Sequence, residues 1–314
     1  MIERIAKFNE LTPSTLPFVE GRLEGHRERK NYSIVGPGVA EDSEQSVKIS
    51  KAHGYNLGAV SANPKNGSGL HSHTTAEVFL IYSGKWRFYW GVDGKNEIIL
   101  GKGDIISMPT NMFRGFENAG DEEGLIFVVL GNDDPGIITW IPKVLISAKE
   151  TGLALLDDNS LIDLKKNEIP TGKKLLEPIN NDQLQKFDNY SLNEIEKFIC
   201  RFDNQSKFQN DLDNGIKLIQ IIGNQFCNQS YNPLIDQDTG FNLSILKSKN
   251  GQIKDLIFTK PTIMFSQKGL WKIKIENDIF EINSKDTFSV PLNTKLSISI
   301  ENIEDCYLNC VSKI

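Results

Sequence analysis

Apolar and polar positions along this chain fall into short runs broken by turn residues, the pattern of half-buried strands rather than helices. Between residues 55 and 130 the runs are "YNLGAV", "EVFLIY", "WRFYWGV", "EIIL", "DIISMP" and "LIFVVLG". Strand-like runs return from residue 217 to the end, among them "IKLIQIIG", "FNLSILKS", "TIMFS", "LWKIKI", "TFSVP" and "KLSISI". Their β-branched and aromatic content predicts antiparallel sandwiches or barrels rather than βαβ units. "GVDGKNE" at residues 91–97 reads as a hairpin turn, because Asp-Gly tolerates the positive φ that such turns demand.

Two regions break the pattern. Residues 1–50 mix proline, glycine and charge without a sustained period, which predicts an irregular arm with one short strand around "YSIVG". Residues 141–201 carry helical signals. "PKVLISAKETG" opens on proline and closes on glycine, and "SLNEIEKFICRF" places Ser191 and Glu194 in capping-box spacing. The proline- and asparagine-bearing stretch "EIPTGKKLLEPINNDQ" between them reads as a linker. The expected division is an arm with a first β-module at 1–140, a helical or irregular connector at 141–215 and a second β-module at 216–314.

The two β-modules repeat one another. "GYNL" at residue 54 returns as "GFNL" at residue 240, "SGKW" with Gly84 and Trp86 as "KGLW" with Gly269 and Trp271, and "GDIISMPTN" as "KDTFSVPLN". The offset slips from 186 to 185 to 182, with the largest slip at the Asp-Gly hairpin, where a change of length costs little. Duplication of one all-β unit explains both order and spacing.

Composition narrows the partners. The formal charge of −6 over 314 residues, with no clustered basic surface, argues against nucleic acid. The densest basic run, around His26 with Arg22, Arg27 and Arg29, contains its own acids and reads as a solvated charge run. Four cysteines without a CxxC pair suit a reducing compartment. The first residues lack the pattern of a secretion signal, and no apolar run is long enough to span a bilayer, so a cytoplasmic location away from membranes is expected.

The candidate chemistry lies in "GLHSHTTAEVFLIYSG" at residues 69–84. His71 and His73 are two apart, so on a strand both imidazoles project from one face. A turn through residues 74–76 brings Glu77 back beside them. Two imidazoles and a carboxylate form a set that holds a divalent metal with open positions. Trp86, Phe88 and Trp90 alternate on one strand and read first as core, with Trp86 and Phe116 as candidates for a substrate-pocket wall.

"GSGLHSHTTAEVFLIYSG" resembles the first signature motif of the cupin superfamily, and "GDIISMPTNMFRGFEN" resembles the second. With the repeat, the resemblance implies a bicupin: an all-β chain of two antiparallel jelly-roll barrels, with a few short helices in the connector. It also implies His71, His73 and Glu77 as metal ligands. The family's fourth ligand, a histidine of the second motif, is replaced here by Arg114, and a motif glycine by Asn111. A guanidinium has no lone pair to donate. Either three protein groups hold the metal and Arg114 pairs with an anionic substrate, or Arg114 replaces the metal and salt-bridges Glu77.

The offsets place His71, His73, Glu77 and Arg114 on Leu256, Phe258, Thr262 and Leu296, so the second barrel is expected to lack a metal site. The expected activity is that of a metal-dependent enzyme, dioxygenase-like, acting on a small organic acid or phenolic compound. The metal would be Fe(II), or else Mn, Ni or Zn, and the assembly a homodimer. A metal-free binding module and a lyase or isomerase are the other readings.

Overall fold

The computed structural model describes residues 4–42, 45–134 and 136–314. Its regular structure is mostly antiparallel strand. The first half forms two facing sheets. A seven-stranded sheet runs in the order Ile199–Cys200, Ile105–Met108, Glu77–Ser83, Gly124–Gly131, Tyr55–Ala62, Arg29–Val35, Val47–Ile49. A five-stranded sheet runs Thr139–Trp140, Gly67–Ser72, Arg114–Asn118, Trp86–Trp90, Asn96–Leu100.

The inner faces pack Val60, Phe79, Ile126 and Val128 of the larger sheet against Trp86, Phe88, Trp90 and Phe116 of the smaller. The outer face of the larger sheet is buried as well. There Leu57, Ala59, Val78, Leu80, Phe127 and Val129 meet Ile219, Ile221, Leu243, Ile245, Phe265 and Val311 of the second half. Burial on both faces explains why "EVFLIY" and "LIFVVLG" read as unbroken apolar runs.

The second half supplies eight strands of a nine-stranded sheet curled around its own core, beside a small two-stranded sheet, Gln225–Phe226 with Gln229–Ser230. Phe241–Ile257 and Lys295–Lys313, 17 and 19 residues long, run through both layers. Register shifts at 248–250 and 253–256 let them bend, as bulges do.

The duplication is visible in backbone detail. Positive φ recurs at Gly54 and Gly240 (82° and 79°), at Gly84 and Gly269 (86° and 96°) and at Asn111 and Asn293 (55° and 54°). Asparagine tolerates that conformation, which is how Asn111 stands in for the glycine of the motif. Trp86 and Trp271 each donate Nε1–H to a carbonyl three residues earlier, Ser83 and Lys268.

The N-terminal arm differs from the expectation. Arg29–Val35 pairs along Tyr55–Ala62, and Val47–Ile49 adds in parallel outside it. Ile5–Ala6 crosses to pair with Thr287–Val290 of the second half. The connector reaches back the other way, Ile199–Cys200 pairing with Ile105–Met108. Its expected helix forms at Pro142–Thr151, closed by Gly152 at φ 92°. The Ser191–Glu194 capping box opens only a four-residue helix, because the chain then passes into that strand. The hairpin at residues 91–97 joins Trp86–Trp90 to Asn96–Leu100 as expected.

Candidate metal centre

His71, His73, Glu77 and Arg114 come from three strands and the turn between two of them, and converge inside the first barrel. Strand Gly67–Ser72 pairs His71 directly with Arg114, so their side chains are cross-strand neighbours. Glu77 opens the next strand, paired with Met108 and Leu130. His71, His73 and Glu77 each present one ligand atom within 4.8 Å of the others, and all three side chains are buried.

The backbone sets both imidazole tautomers. Nδ1 of His71 donates to the Gly69 carbonyl at 2.8 Å, and Nδ1 of His73 donates to the Thr75 carbonyl at 3.0 Å. Each ring therefore keeps its Nε2 lone pair, as a metal-binding histidine requires. Burial, reinforced by the Arg114 charge, pushes the His71 imidazole down to about 4 and lowers that of His73. Both rings are neutral at pH 7.

Arg114 is 1 % exposed and stands among these donors. Its Nη2 donates to Nε2 of His73 at 2.5 Å and to Oε2 of Glu77 at 3.0 Å, its Nε donates to the same carboxylate oxygen at 3.1 Å, and its Nη1 donates to the Met112 carbonyl. Burial raises the Glu77 carboxyl, but the Arg114 guanidinium outweighs it and holds it at about 2. Donor type, number, tautomer and spacing fit a divalent cation. Arg114 is the misfit: a cation held by His73 and Glu77 must take the place of its hydrogen bonds.

Beside the centre lies a cavity of about 70 Å³, lined by His71, Glu77, Ser68 and an apolar wall that includes Phe18, Phe79, Phe116 and Trp140. Phe116 lines this cavity. Trp86 does not, and this corrects the expectation. It is fully buried in the inter-sheet core, edge-on to Phe116, and does not reach the cavity. The alternating stripe Trp86, Phe88, Trp90 is core.

The basic run of the arm also needs correcting. Arg29 is 2 % exposed, and its Nη1 donates to Glu20, itself fully buried, at 2.8 Å. Glu20 further accepts from the Ser68 hydroxyl and the Gly69 N–H, both at 2.8 Å, and His26 lies 3.7 Å away. A Cβ on Gly69 would lie 2.7 Å from that carboxylate, so a larger residue here would push Glu20 aside. Glu20 thereby braces the backbone that fixes His71. Trp140, 5.3 Å from the His71 ring, donates to Glu41, whose carboxyl burial raises to about 8. Neither acid was legible as part of the centre, since only the fold brings residue 20 to strand Gly67–Ser72 and residue 41 to Trp140.

His53 lies away from the centre, its Nε2 2.9 Å from the Ser289 hydroxyl across the two halves. In the second half, Leu256 pairs with Leu296 as His71 does with Arg114, and Thr262 pairs with Val290 and Ser312 as Glu77 does with Met108 and Leu130. Phe258 and Leu296 are buried in its apolar core. Among the described residues, only the His71, His73 and Glu77 group has the makings of a metal site.

Comparison with known proteins agrees with this architecture. Residues 59–130 match the cupin domain family. No curated protein matches the chain. Among solved structures, the chain is similar over its full length to oxalate decarboxylase from Lactobacillus farciminis in its formate complex, with 13% identity, TM-score 0.58 and 86% of that chain covered. A variant of Bacillus subtilis oxalate decarboxylase matches with 12% identity, TM-score 0.57 and 78% of its chain covered, again over all of this one. With two barrels and both repeat copies in register, residues 59–130 form a cupin domain, and the whole chain shares the two-barrel fold of these oxalate decarboxylases.

Proposed function

We propose that this bicupin is a metal-dependent enzyme that acts on a small carboxylic acid in its N-terminal barrel. The observation that carries the reading is the buried triad His71, His73 and Glu77, with both Nε2 lone pairs preset and a small cavity alongside. These three residues would hold the ion, Fe(II) or else Mn, Ni or Zn. When bound, such an ion supplies a Lewis-acid centre with open positions. The chain itself supplies the enclosure. Phe18, Phe79, Phe116 and Trp140 exclude water, Glu20 and Gly69 hold His71 in its tautomer, and Arg114 keeps Glu77 ionised.

The likeness to oxalate decarboxylases brings decarboxylation forward, with dioxygenase chemistry as the other outcome of the same donor set. The test is a screen of short mono- and dicarboxylates with Mn²⁺ or Fe²⁺ added, following carbon dioxide release and oxygen uptake together. Carbon dioxide without oxygen uptake, abolished by His73→Ala, is expected. Stoichiometric oxygen uptake would replace the lyase reading with a dioxygenase.

A second reading rests on the Arg114 hydrogen bonds. In it the guanidinium is the resident cation, and the barrel binds small molecules without metal. Turnover that is absent with every metal, and an unchanged fold in His73→Ala, would favour it.

A further inference from the structure

Resting on the metal-dependent reading, we infer that the N-terminal barrel takes up a divalent cation and a carboxylate ligand cooperatively, and that the matching ligand is a dianion. The reason is charge in a buried place. Arg114 and Glu77 are 1% and 6% exposed at their side chains and form a neutral pair. His71 and His73 are neutral, Glu20 is matched by Arg29, and Glu41 is hydrogen-bonded to Trp140 and Val19.

A divalent ion added to this set leaves two positive charges uncompensated in a low-dielectric interior, which is costly. It must also take the place of the Arg114 hydrogen bonds to His73 and Glu77. One carboxylate in the adjoining cavity, which His71 and Glu77 line, cancels one of those charges, and a dicarboxylate cancels both. A neutral histidine at position 114 would lower the requirement to a monoanion. The arginine therefore raises by one the negative charge that the loaded site calls for. By linkage the ion and the anion strengthen one another's binding equally.

The test uses the full-length protein, Mn²⁺ as the ion and acetate or malonate as the anion. Free Mn²⁺ is followed by electron paramagnetic resonance and corrected for its complexes with the anion. Mn²⁺ affinity is expected to rise about tenfold or more with malonate, within the usual span of coupling, and less with acetate. Malonate affinity should rise by the same factor with Mn²⁺. Arg114→His should bind Mn²⁺ without anion and lose most of the malonate effect. The wild-type titrations decide even if that variant folds poorly. Tight Mn²⁺ binding indifferent to both anions overturns the cooperativity while sparing the metal-dependent reading. Equal effects of acetate and malonate overturn the dianion. No Mn²⁺ uptake by wild type under any condition overturns the metal-dependent reading itself.

Discussion

The two barrels share a backbone and differ in what fills the same four positions. In the first, His71, His73, Glu77 and Arg114 form a buried polar cluster in which each donor meets an acceptor. In the second, Leu256, Phe258, Thr262 and Leu296 close the interior, Phe258 edge-on to Phe226. Turns, tryptophan anchors and register are kept in both, so the fold does not depend on the polar cluster. A polar cluster in a protein interior stabilises less than apolar packing of the same volume. Its presence in one copy and absence from the other is what the proposed function accounts for, and the second barrel shows what the same frame looks like without it.

The largest effect is expected from breaking the cluster on one side only. Arg114→Leu leaves the Glu77 carboxylate buried without its partner and should cost roughly 3–5 kcal/mol of unfolding free energy. Adding Glu77→Thr, which completes the pair of residues found in the second barrel, should restore most of it. Urea unfolding of the single and double variants checks both. Were the single variant as stable as wild type, the guanidinium would not be holding the carboxylate.

The next effect belongs to the apolar copy. Leu296→Ala should destabilise by about 3 kcal/mol through the cavity it leaves. It should leave any metal uptake unchanged, read by the same unfolding curves with a Mn²⁺ titration alongside.

Acid should separate the barrels more gently. The His71 imidazole sits at about 4 instead of 6.5, so the unfolded chain takes up that proton first. Stability from His71 is complete above pH 6.5 and is lost as pH falls towards 4. Glu77, held at about 2 instead of 4.5, adds a second loss below pH 4.5. Thermal unfolding from pH 7 to pH 3 should show a falling midpoint. In Arg114→Leu with Glu77→Thr the part below pH 4.5 should shrink.

The smallest effect tests what the copies share. Gly84→Ala and Gly269→Ala force alanine into positive φ and should cost about 1–2 kcal/mol each. The second should cost more, because a Cβ there would meet the Cys306 sulfur at 2.4 Å.

Much of this is legible in the sequence. Short β-branched and aromatic runs between turn residues marked the strands, and the two motifs with the repeat marked the barrels and the register that places Leu256 and Leu296 opposite each other. His71, His73 and Glu77 were readable because they are close in sequence and their geometry is that of one strand and one turn. What was not legible depends on distant pairing. The arm looked irregular because Arg29–Val35 is charged at its start, yet it lies on a sheet that supplies its hydrogen bonds. Glu20 and Arg29 looked solvated because their burial comes from strand Gly67–Ser72. Trp86 was a candidate for the cavity because a strand pattern gives the face of a side chain and not its depth. Arg114 was known to be unable to ligate, and its salt bridge to Glu77 was one of two readings, but its hydrogen bond to His73 follows only from the pairing of its strand with that of His71.

The most direct measurement is the number of Mn²⁺ ions bound per chain in the presence of malonate, by equilibrium dialysis, in wild type, His73→Ala and Phe258→Leu. One ion per chain, lost in His73→Ala and kept in Phe258→Leu, is expected from a single functional centre in the N-terminal barrel. No bound ion in wild type, or binding that survives His73→Ala, would contradict it.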